Sequence, residues 1–89
     1  MDWRTRYKKH IISIKDIKAG MEIRYFSPFS KKDEDGNLIG EGMYCSQDAT
    51  EHYNTIAETP YISAAGGFVE FTNGDKHGFT SSEFVEVLN

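Results

Sequence analysis

The sequence is poor in residues that cross-link a chain or anchor it in a membrane. Its 89 residues include a single cysteine, Cys45, and only two prolines. One cysteine excludes an intramolecular disulfide and is typical of a reducing compartment. No apolar run approaches the roughly 18 residues that a membrane-spanning helix needs, and the first ten residues lack the apolar stretch of a signal peptide. We therefore expect a soluble, cytoplasmic protein.

Patterns that carry catalysis are also scarce. Cys45, Asp48 and His52 are the only nucleophile, acid and base that lie close together in the sequence. Local spacing does not define a catalytic set, because such partners converge in space rather than along the chain. Cysteine is moreover among the most frequently buried residues. We expect no enzymatic activity.

Metal and cofactor motifs are lacking as well. The histidines, His10, His52 and His77, have no paired metal-ligand spacing, and we expect His77 to face solvent from a hairpin. Residues 31–42 resemble a calcium loop, but Lys31 and Gly42 occupy the two end positions that require carboxylates. The glycines lack the lysine that completes a phosphate loop. We expect neither a metal nor a cofactor.

Charge is divided unevenly along the chain, although the net charge is only −4. Residues 1–20 hold six cations against two acids, and residues 21–89 hold four cations against twelve acids. We predict a basic N-terminal arm, residues 1–10, followed by one domain, residues 11–89. The arm combines cations with rings that stack on bases; its candidate nucleic-acid-binding residues are Trp3, Arg4, Arg6, Tyr7, Lys8 and Lys9. The alternatives are a solvated arm and an arm that lies across the acidic domain.

Short strands dominate the pattern of the first two thirds. Alternating apolar residues predict a lead-in strand near residue 12, a turn at residues 18–20 and a strand over 21–26. Residues 27–42 have the glycines and the Asp35-Gly36-Asn37 turn signal of a long hairpin loop, and residues 43–47 fit another strand. Residues 48–58 favour a strand, with a short helix as the alternative because Asp48 and Glu51 resemble a capping box.

The last third, residues 66–88, has the clearest pattern. Phe68 and Glu70 alternate with Val69 and Phe71 and so face opposite sides of a predicted strand. Asn73-Gly74 follows, which is a strong signal for a tight hairpin turn. Residues 80–84 predict one capped helical turn before a last strand over 85–88.

The order of these elements resembles the small Src-homology-three-like barrel, the group that includes Tudor and KOW modules. The segments that carry the resemblance are IKAGMEIRYF and GGFVEFTNGDKHGFTSSEFVEVL. The resemblance implies a mainly β fold, either a strongly bent five-stranded antiparallel sheet or such a barrel, with one short helical turn. It implies a binding module and no particular ligand. The only tryptophan, Trp3, lies outside the barrel, which argues against the proline-peptide groove of that group.

Exposed rings and acids are the best candidates for a contact surface, because aromatic residues often anchor protein interfaces. The candidate partner-binding residues are Phe29, Asp33, Glu34, Asp35, Glu41, Tyr44 and Tyr61. We expect a protein partner and a protein that is a monomer or a weak homodimer. The alternatives are a phage or mobile-element accessory protein that inhibits a host nucleic-acid enzyme, and nucleic-acid binding through the basic arm.

Overall fold

The computed structural model describes residues 10–39 and 50–89, and strands dominate this part of the chain. In chain order the strands are β1 (Ile11–Ser13), β2 (Glu22–Ser27), β3 (Lys31–Lys32), β4 (Leu38–Ile39), β5 (Thr50–Thr55), β6 (Gly67–Glu70), β7 (Lys76–Phe79) and β8 (Phe84–Val87). The only helical element among the described residues is a 3-10 turn, Ile14–Asp16. The predicted mainly β fold is confirmed, with more and shorter strands than the five expected.

Four strands form one antiparallel sheet in the order β1-β8-β2-β5. The other four form two antiparallel hairpins, β3-β4 and β6-β7. An isolated bridge between Ile56 and Phe71 joins the end of β5 to the β6-β7 hairpin. Within residues 10–39 and 50–89 the strands do not close into a barrel, because β1 and β5 remain the two edges of the main sheet. The resemblance therefore extends to a small antiparallel β fold, and not to a closed barrel.

Strand β5 resolves the ambiguity over residues 48–58 in the part that the structure describes. It pairs with β2 along its whole length, from Thr50 opposite Ser27 to Thr55 opposite Glu22. The helical alternative is therefore wrong for residues 50–55. Threonine and tyrosine favour a strand, and the ladder to β2 supplies hydrogen bonds that an isolated short helix lacks. The strand predicted at residues 43–47 lies outside the described residues.

The core lies between the inner face of the main sheet and the β6-β7 hairpin. Ten apolar side chains form it: Ile14, Ile17, Ile23, Tyr25, Ile56, Val69, Phe71, Phe79, Val85 and Val87. The Tyr25 ring lies parallel to that of Phe71 at 5.6 Å and edge-on to that of Phe79 at 5.1 Å. Burying one such side chain contributes about 1.5–3 kcal/mol, so a domain of this size depends on each of them.

The β6-β7 hairpin confirms the strongest sequence signal and corrects its detail. Val69 and Phe71 are buried while Phe68 and Glu70 are exposed, so the two pairs face opposite sides of the strand as the alternation predicts. The turn is wider than a two-residue turn, because Glu70 pairs with Lys76 and the Phe71 amide donates to the Asp75 carbonyl at 2.8 Å. Only the glycine of Asn73-Gly74 has positive φ, at 91°.

The Asn73 side chain holds this turn by hydrogen bonds. Its Oδ1 accepts from the Asp75 amide at 2.9 Å, and its Nδ2 donates to Asn54 Oδ1 at 3.0 Å. Asn73 therefore shapes the turn through its side chain, as asparagine does in Asx-turns, and also ties the hairpin to β5. A primed two-residue turn would instead require positive φ at both residues.

The helical turn lies at a different place from the predicted one. Sequence reasoning puts it at residues 80–84, whereas the structure has a 3-10 turn at Ile14–Asp16. Ser13 caps that turn by accepting from the Lys15 amide at 3.3 Å. Residues 80–83 form a non-helical turn, in which the Glu83 carboxylate accepts from the Thr80 amide at 2.7 Å. A buried carboxylate therefore takes the capping role that the pattern assigned to hydroxyls.

Candidate binding surfaces

The acidic turn between β3 and β4 is built by one of its own acids. Asp33 Oδ1 accepts hydrogen bonds from the amides of Asp35 and Asn37, both at 2.9 Å. The Asp33 amide in turn donates to the Asn37 carbonyl at 2.9 Å. Gly36 has a φ of 81° and completes the reversal. Asp33 is thus a structural residue of the turn, and the two exposed acids at its tip are Glu34 and Asp35.

Lysines flank this turn, so the surface is less uniformly acidic than the predicted partner-binding set suggests. Lys31 and Lys32 form β3, immediately before Asp33. The Lys32 ammonium lies 5.0 Å from the centre of the Phe84 ring, a cation–π geometry. These lysines, the three acids of residues 33–35 and Phe84 line an open groove. The groove presents charges of both signs around one aromatic ring.

Phe29 is only half-exposed. It precedes Ser30, which is fully buried and whose amide donates to the Glu83 carboxylate at 3.1 Å. That anchor fixes the start of the β3-β4 hairpin. Glu41 and Tyr44, the other members of the predicted set near this loop, lie outside the described residues.

Two aromatic rings stand out at the surface beside the closing hairpin. Tyr61 is 86% exposed, which confirms its predicted exposure, and Phe68 is 76% exposed. Gly67 lies next to both, because it precedes Phe68 and a Cβ built on it would meet the Tyr61 carbonyl oxygen at 2.6 Å. The two residues that carry these rings are therefore close neighbours on the hairpin side of the molecule.

Phe68 was missed as a site residue, although its position was predictable. The alternation of residues 68–71 puts Phe68 on the face opposite to Val69 and Phe71, which is the solvent face. The structural explanation for the ring is that it covers Gly78, its partner across the hairpin: a Cβ on Gly78 would meet the Phe68 ring at 3.2 Å. Such coverage protects a strand glycine, yet it leaves most of the ring in water.

Tyr53 was missed as well. It is 55% exposed on β5, directly opposite Arg24 of β2 on the outer face of the main sheet. Arg24 ion-pairs there with Glu51 at 3.0 Å and with Glu86 at 3.2 Å. This charged outer face is separate from the surface at Tyr61 and Phe68, which belongs to the closing hairpin.

The predicted basic arm and two of the three residues considered for catalysis lie outside the described part of the chain. Trp3, Arg4, Arg6, Tyr7, Lys8 and Lys9 all lie outside residues 10–39 and 50–89, and so do Cys45 and Asp48. Among the residues that the structure describes, no three His, Cys, Asp or Glu side chains are grouped so as to hold a metal ion.

His77 corrects the prediction that it faces solvent. It lies on β7 with its ring among aromatic neighbours, 4.6 Å from Phe79, 5.0 Å from Tyr25 and 6.1 Å from His52. Its Nε2 is buried without a hydrogen-bond partner. Period-2 alternation explains the position, because His77 and Phe79 share the inward face of β7. Burial lowers the pKa of His77, and the proximity of His52 lowers it further.

We predict that His77 makes the fold sensitive to mild acid. The unfolded chain binds the histidine proton more tightly than the folded one, so the free energy of unfolding falls as the pH drops below the ordinary value of 6.5. The free energy of unfolding stops falling once the pH lies below the folded-state pKa of His77, because the histidine is then protonated in both states. Replacing His77 by phenylalanine removes this dependence and adds about 1 kcal/mol, because a buried unpaired nitrogen is lost. Denaturant titrations between about pH 5 and pH 7.5 measure the slope.

His10→Gln is the matched control, because it replaces an exposed histidine that lies outside the core. An unchanged slope in His77→Phe would show that the acid sensitivity arises elsewhere.

No protein-family model, curated protein or solved structure matches this chain significantly. Over the described residues, no helix is long and apolar enough to cross a membrane.

Proposed function

We propose that this protein is a non-enzymatic binding module whose partner is another protein. The observation that carries the proposal is the exposure of two rings, Tyr61 and Phe68, whose residues lie close together at the closing hairpin. Most other rings of the described chain pack into the core or against charged neighbours. Exposed aromatic side chains supply a large share of the binding energy in protein interfaces, because they bury much area at low entropic cost.

The net charge of the domain favours a protein over a nucleic acid. Residues 21–89 carry twelve acids against four cations. A domain of this charge repels phosphates and attracts basic groups. Beside Phe68 itself the charges balance, because the exposed Glu70 lies directly opposite the exposed Lys76 of β7. The partner surface should therefore combine an apolar pocket for the rings with lysine or arginine opposite the acidic turn.

The acidic turn is the second proposed contact. Its backbone is fixed by the Asp33 hydrogen bonds, so Glu34 and Asp35 are held at the tip with little freedom left to lose on binding. Reversing the charge of Asp33 would also break the turn. A clean test therefore changes Glu34 and Asp35 and leaves Asp33 in place.

Fewer observations support the two alternative functions. Inhibition of a host nucleic-acid enzyme would use the same two acids, Glu34 and Asp35, as mimics of phosphates. Nucleic-acid binding would use the basic arm of residues 1–9.

An affinity capture with surface variants tests the proposal. The tagged protein is expressed in the cells that naturally produce it, and co-purified proteins are quantified by mass spectrometry. The double variant Tyr61→Ser with Phe68→Ser should reduce the amount of the main partner by more than about 30-fold, since one hot-spot ring alone contributes about 2 kcal/mol. Glu34→Lys with Asp35→Lys should reduce it about tenfold through lost electrostatic complementarity.

Glu70→Ser, on the same strand face as Phe68, is the matched control and should retain the partner. In parallel, labelled single-stranded and duplex DNA are titrated with the wild type and with a variant lacking residues 1–9. Tight, salt-sensitive DNA binding that needs the arm, with capture unaffected by either double variant, would contradict the proposal in favour of the nucleic-acid alternative.

A further inference from the structure

Strand β5 is the longer of the two edges of the main sheet, with six residues against three in β1. An edge strand presents unpaired backbone N–H and C=O groups that can pair with another strand. The free backbone N–H and C=O groups of β5 determine what can add to this edge and in which register.

Hydrogen bonds at the end of β5 show which residues direct their backbone N–H and C=O groups toward β2. The Ile56 amide donates to the Met21 carbonyl at 2.9 Å, and the Ile56 carbonyl accepts from the Gly20 amide at 2.8 Å. The backbone groups of Ile56 therefore point toward β2. Because that direction alternates along an antiparallel strand, the backbone groups of Asn54 and His52 also point toward β2.

The backbone groups of the odd-numbered residues of β5 point away from β2. The Thr55 carbonyl accepts from the Thr72 amide at 2.9 Å, and the Ala57 amide donates to the Glu70 carbonyl at 2.9 Å, both on the hairpin side. By the same alternation, the N–H and C=O groups of Glu51 and Tyr53 point to the open side. No hydrogen bond among the described residues occupies those four groups. Among residues 10–39 and 50–89, the stretch of this edge without backbone partners is thus centred on His52.

We infer that this edge pairs with the same edge of a second copy, in an antiparallel dimer with its two-fold axis beside His52. In that register Glu51 of each copy lies opposite Tyr53 of the other, and the four free groups of each chain form four hydrogen bonds across the interface. Both cores lie on the same side of the resulting eight-stranded sheet, because the paired residues are both odd-numbered and share a face.

The side chains are complementary in this register. Glu51 and Tyr53 both project from the outer face, so each carboxylate meets a tyrosine of the other copy and no two like charges are directly opposed. Tyr53, 55% exposed in one copy, gains a cross-strand partner. The free edge is short, so the dimer is weak and forms only in concentrated protein.

A matched pair of substitutions at one position tests the pairing. Tyr53→Glu puts a carboxylate opposite Glu51 of the other copy at both ends of the interface, whereas Tyr53→Gln has the same shape without the charge. Within one copy position 53 lies beside Glu51 and opposite Arg24, so the arginine offsets the repulsion between the added carboxylate and Glu51. Circular dichroism and thermal unfolding confirm that both variants are folded.

Sedimentation velocity from low-micromolar to near-millimolar concentration is the first measurement. The wild type and Tyr53→Gln should shift from monomer to dimer, and Tyr53→Glu should weaken the dimer at least about tenfold. A wild type that stays monomeric throughout, or a dimer that Tyr53→Glu leaves intact, would overturn the inference.

Amide hydrogen exchange locates the interface residue by residue. The amides of Glu51 and Tyr53 should exchange fast in dilute protein and at least about tenfold more slowly in concentrated protein. The Asn54 amide, which points toward β2, should be protected at both concentrations and serves as the internal control. Exchange at Glu51 and Tyr53 that does not depend on concentration would place the dimer contact, if any, elsewhere and overturn the assignment to β5.

Discussion

Replacing Glu83 by leucine lowers the free energy of unfolding by about 3 kcal/mol, because two backbone amides lose their acceptor. The Glu83 side chain is 1% exposed. Its two carboxylate oxygens accept from the Ser30 amide at 3.1 Å and from the Thr80 amide at 2.7 Å. The Glu83 carbonyl also accepts from the Ile14 amide at 3.0 Å. One residue therefore ties the start of the β3-β4 hairpin to the turn before β8, and denaturant titration measures the loss.

The neighbouring buried acid is the control. Glu86 is 8% exposed but bonds to Arg24, which keeps its second carboxylate partner, Glu51. Glu86→Gln should therefore cost no more than about 1 kcal/mol. Equal costs for Glu83→Leu and Glu86→Gln would show that the amide acceptors do not matter.

The pH dependence of the same position adds a second readout. Burial raises the pKa of Glu83, and its hydrogen bonds with the backbone offset part of that effect. The folded state then binds the proton more tightly than the unfolded chain, so this group adds stability as the pH falls through the folded-state pKa toward 4.5 and loses that contribution as the pH rises. Glu83→Gln abolishes this contribution, and its cost should grow as the pH falls.

Replacing Gly66 by alanine costs about 3 kcal/mol or more, because the new methyl group meets the backbone and not a movable side chain. A Cβ at this position is directed onto the Phe79 carbonyl oxygen and lies 3.3 Å from Thr80 Cα. Gly66 also has a φ of 99°, which alanine disfavours. The connection into β6 must then shift away from the end of β7, and thermal unfolding measures the loss.

Gly74→Ala separates the two contributions. Gly74 has a nearly equal φ of 91°, but a Cβ there meets nothing within 4 Å. This variant should cost only the conformational penalty, about 1–2 kcal/mol. If Gly66→Ala and Gly74→Ala cost the same, the close approach of the chain to Phe79 would be refuted.

Local patterns were sufficient for most of the strands. Alternation put Val69 and Phe71 on the face opposite to Phe68, and residue preferences favoured a strand where β5 runs. These features depend only on residues that are close together in the sequence, so a single sequence is enough to predict them. The arrangement of the strands into one sheet and two hairpins depends on contacts between distant segments, such as the bridge between Ile56 and Phe71.

The less predictable features are those where one side chain serves a distant backbone. Nothing in the local pattern indicates that Glu83 accepts from Ser30, 53 residues away. Asp33 belongs to an acidic run that is typical of a solvated loop, and only the structure shows it to be the acceptor that builds the turn. The position of His77 in a hairpin suggested an exposed side chain. Its place on the same strand face as Phe79 indicates a buried one.

The candidate surface was predictable in part for the same reason. Tyr61 was identified because a small core cannot bury every ring. Phe68 was placed on the face opposite to Val69 and Phe71 but was not included among the candidate site residues. Its exposure moves the proposed contact from the acidic loop toward the closing hairpin.

The most direct test of the proposed function is the affinity of the purified captured partner for Phe68→Ser, measured by isothermal titration calorimetry beside the wild type and Glu70→Ser. Phe68 is 76% exposed, so its removal leaves the core unchanged and affects the surface alone. The account predicts that Phe68→Ser weakens binding about 30-fold and that Glu70→Ser binds within a few-fold of the wild type. A partner that binds Phe68→Ser as tightly as the wild type would contradict the assignment of the hairpin rings as the binding surface.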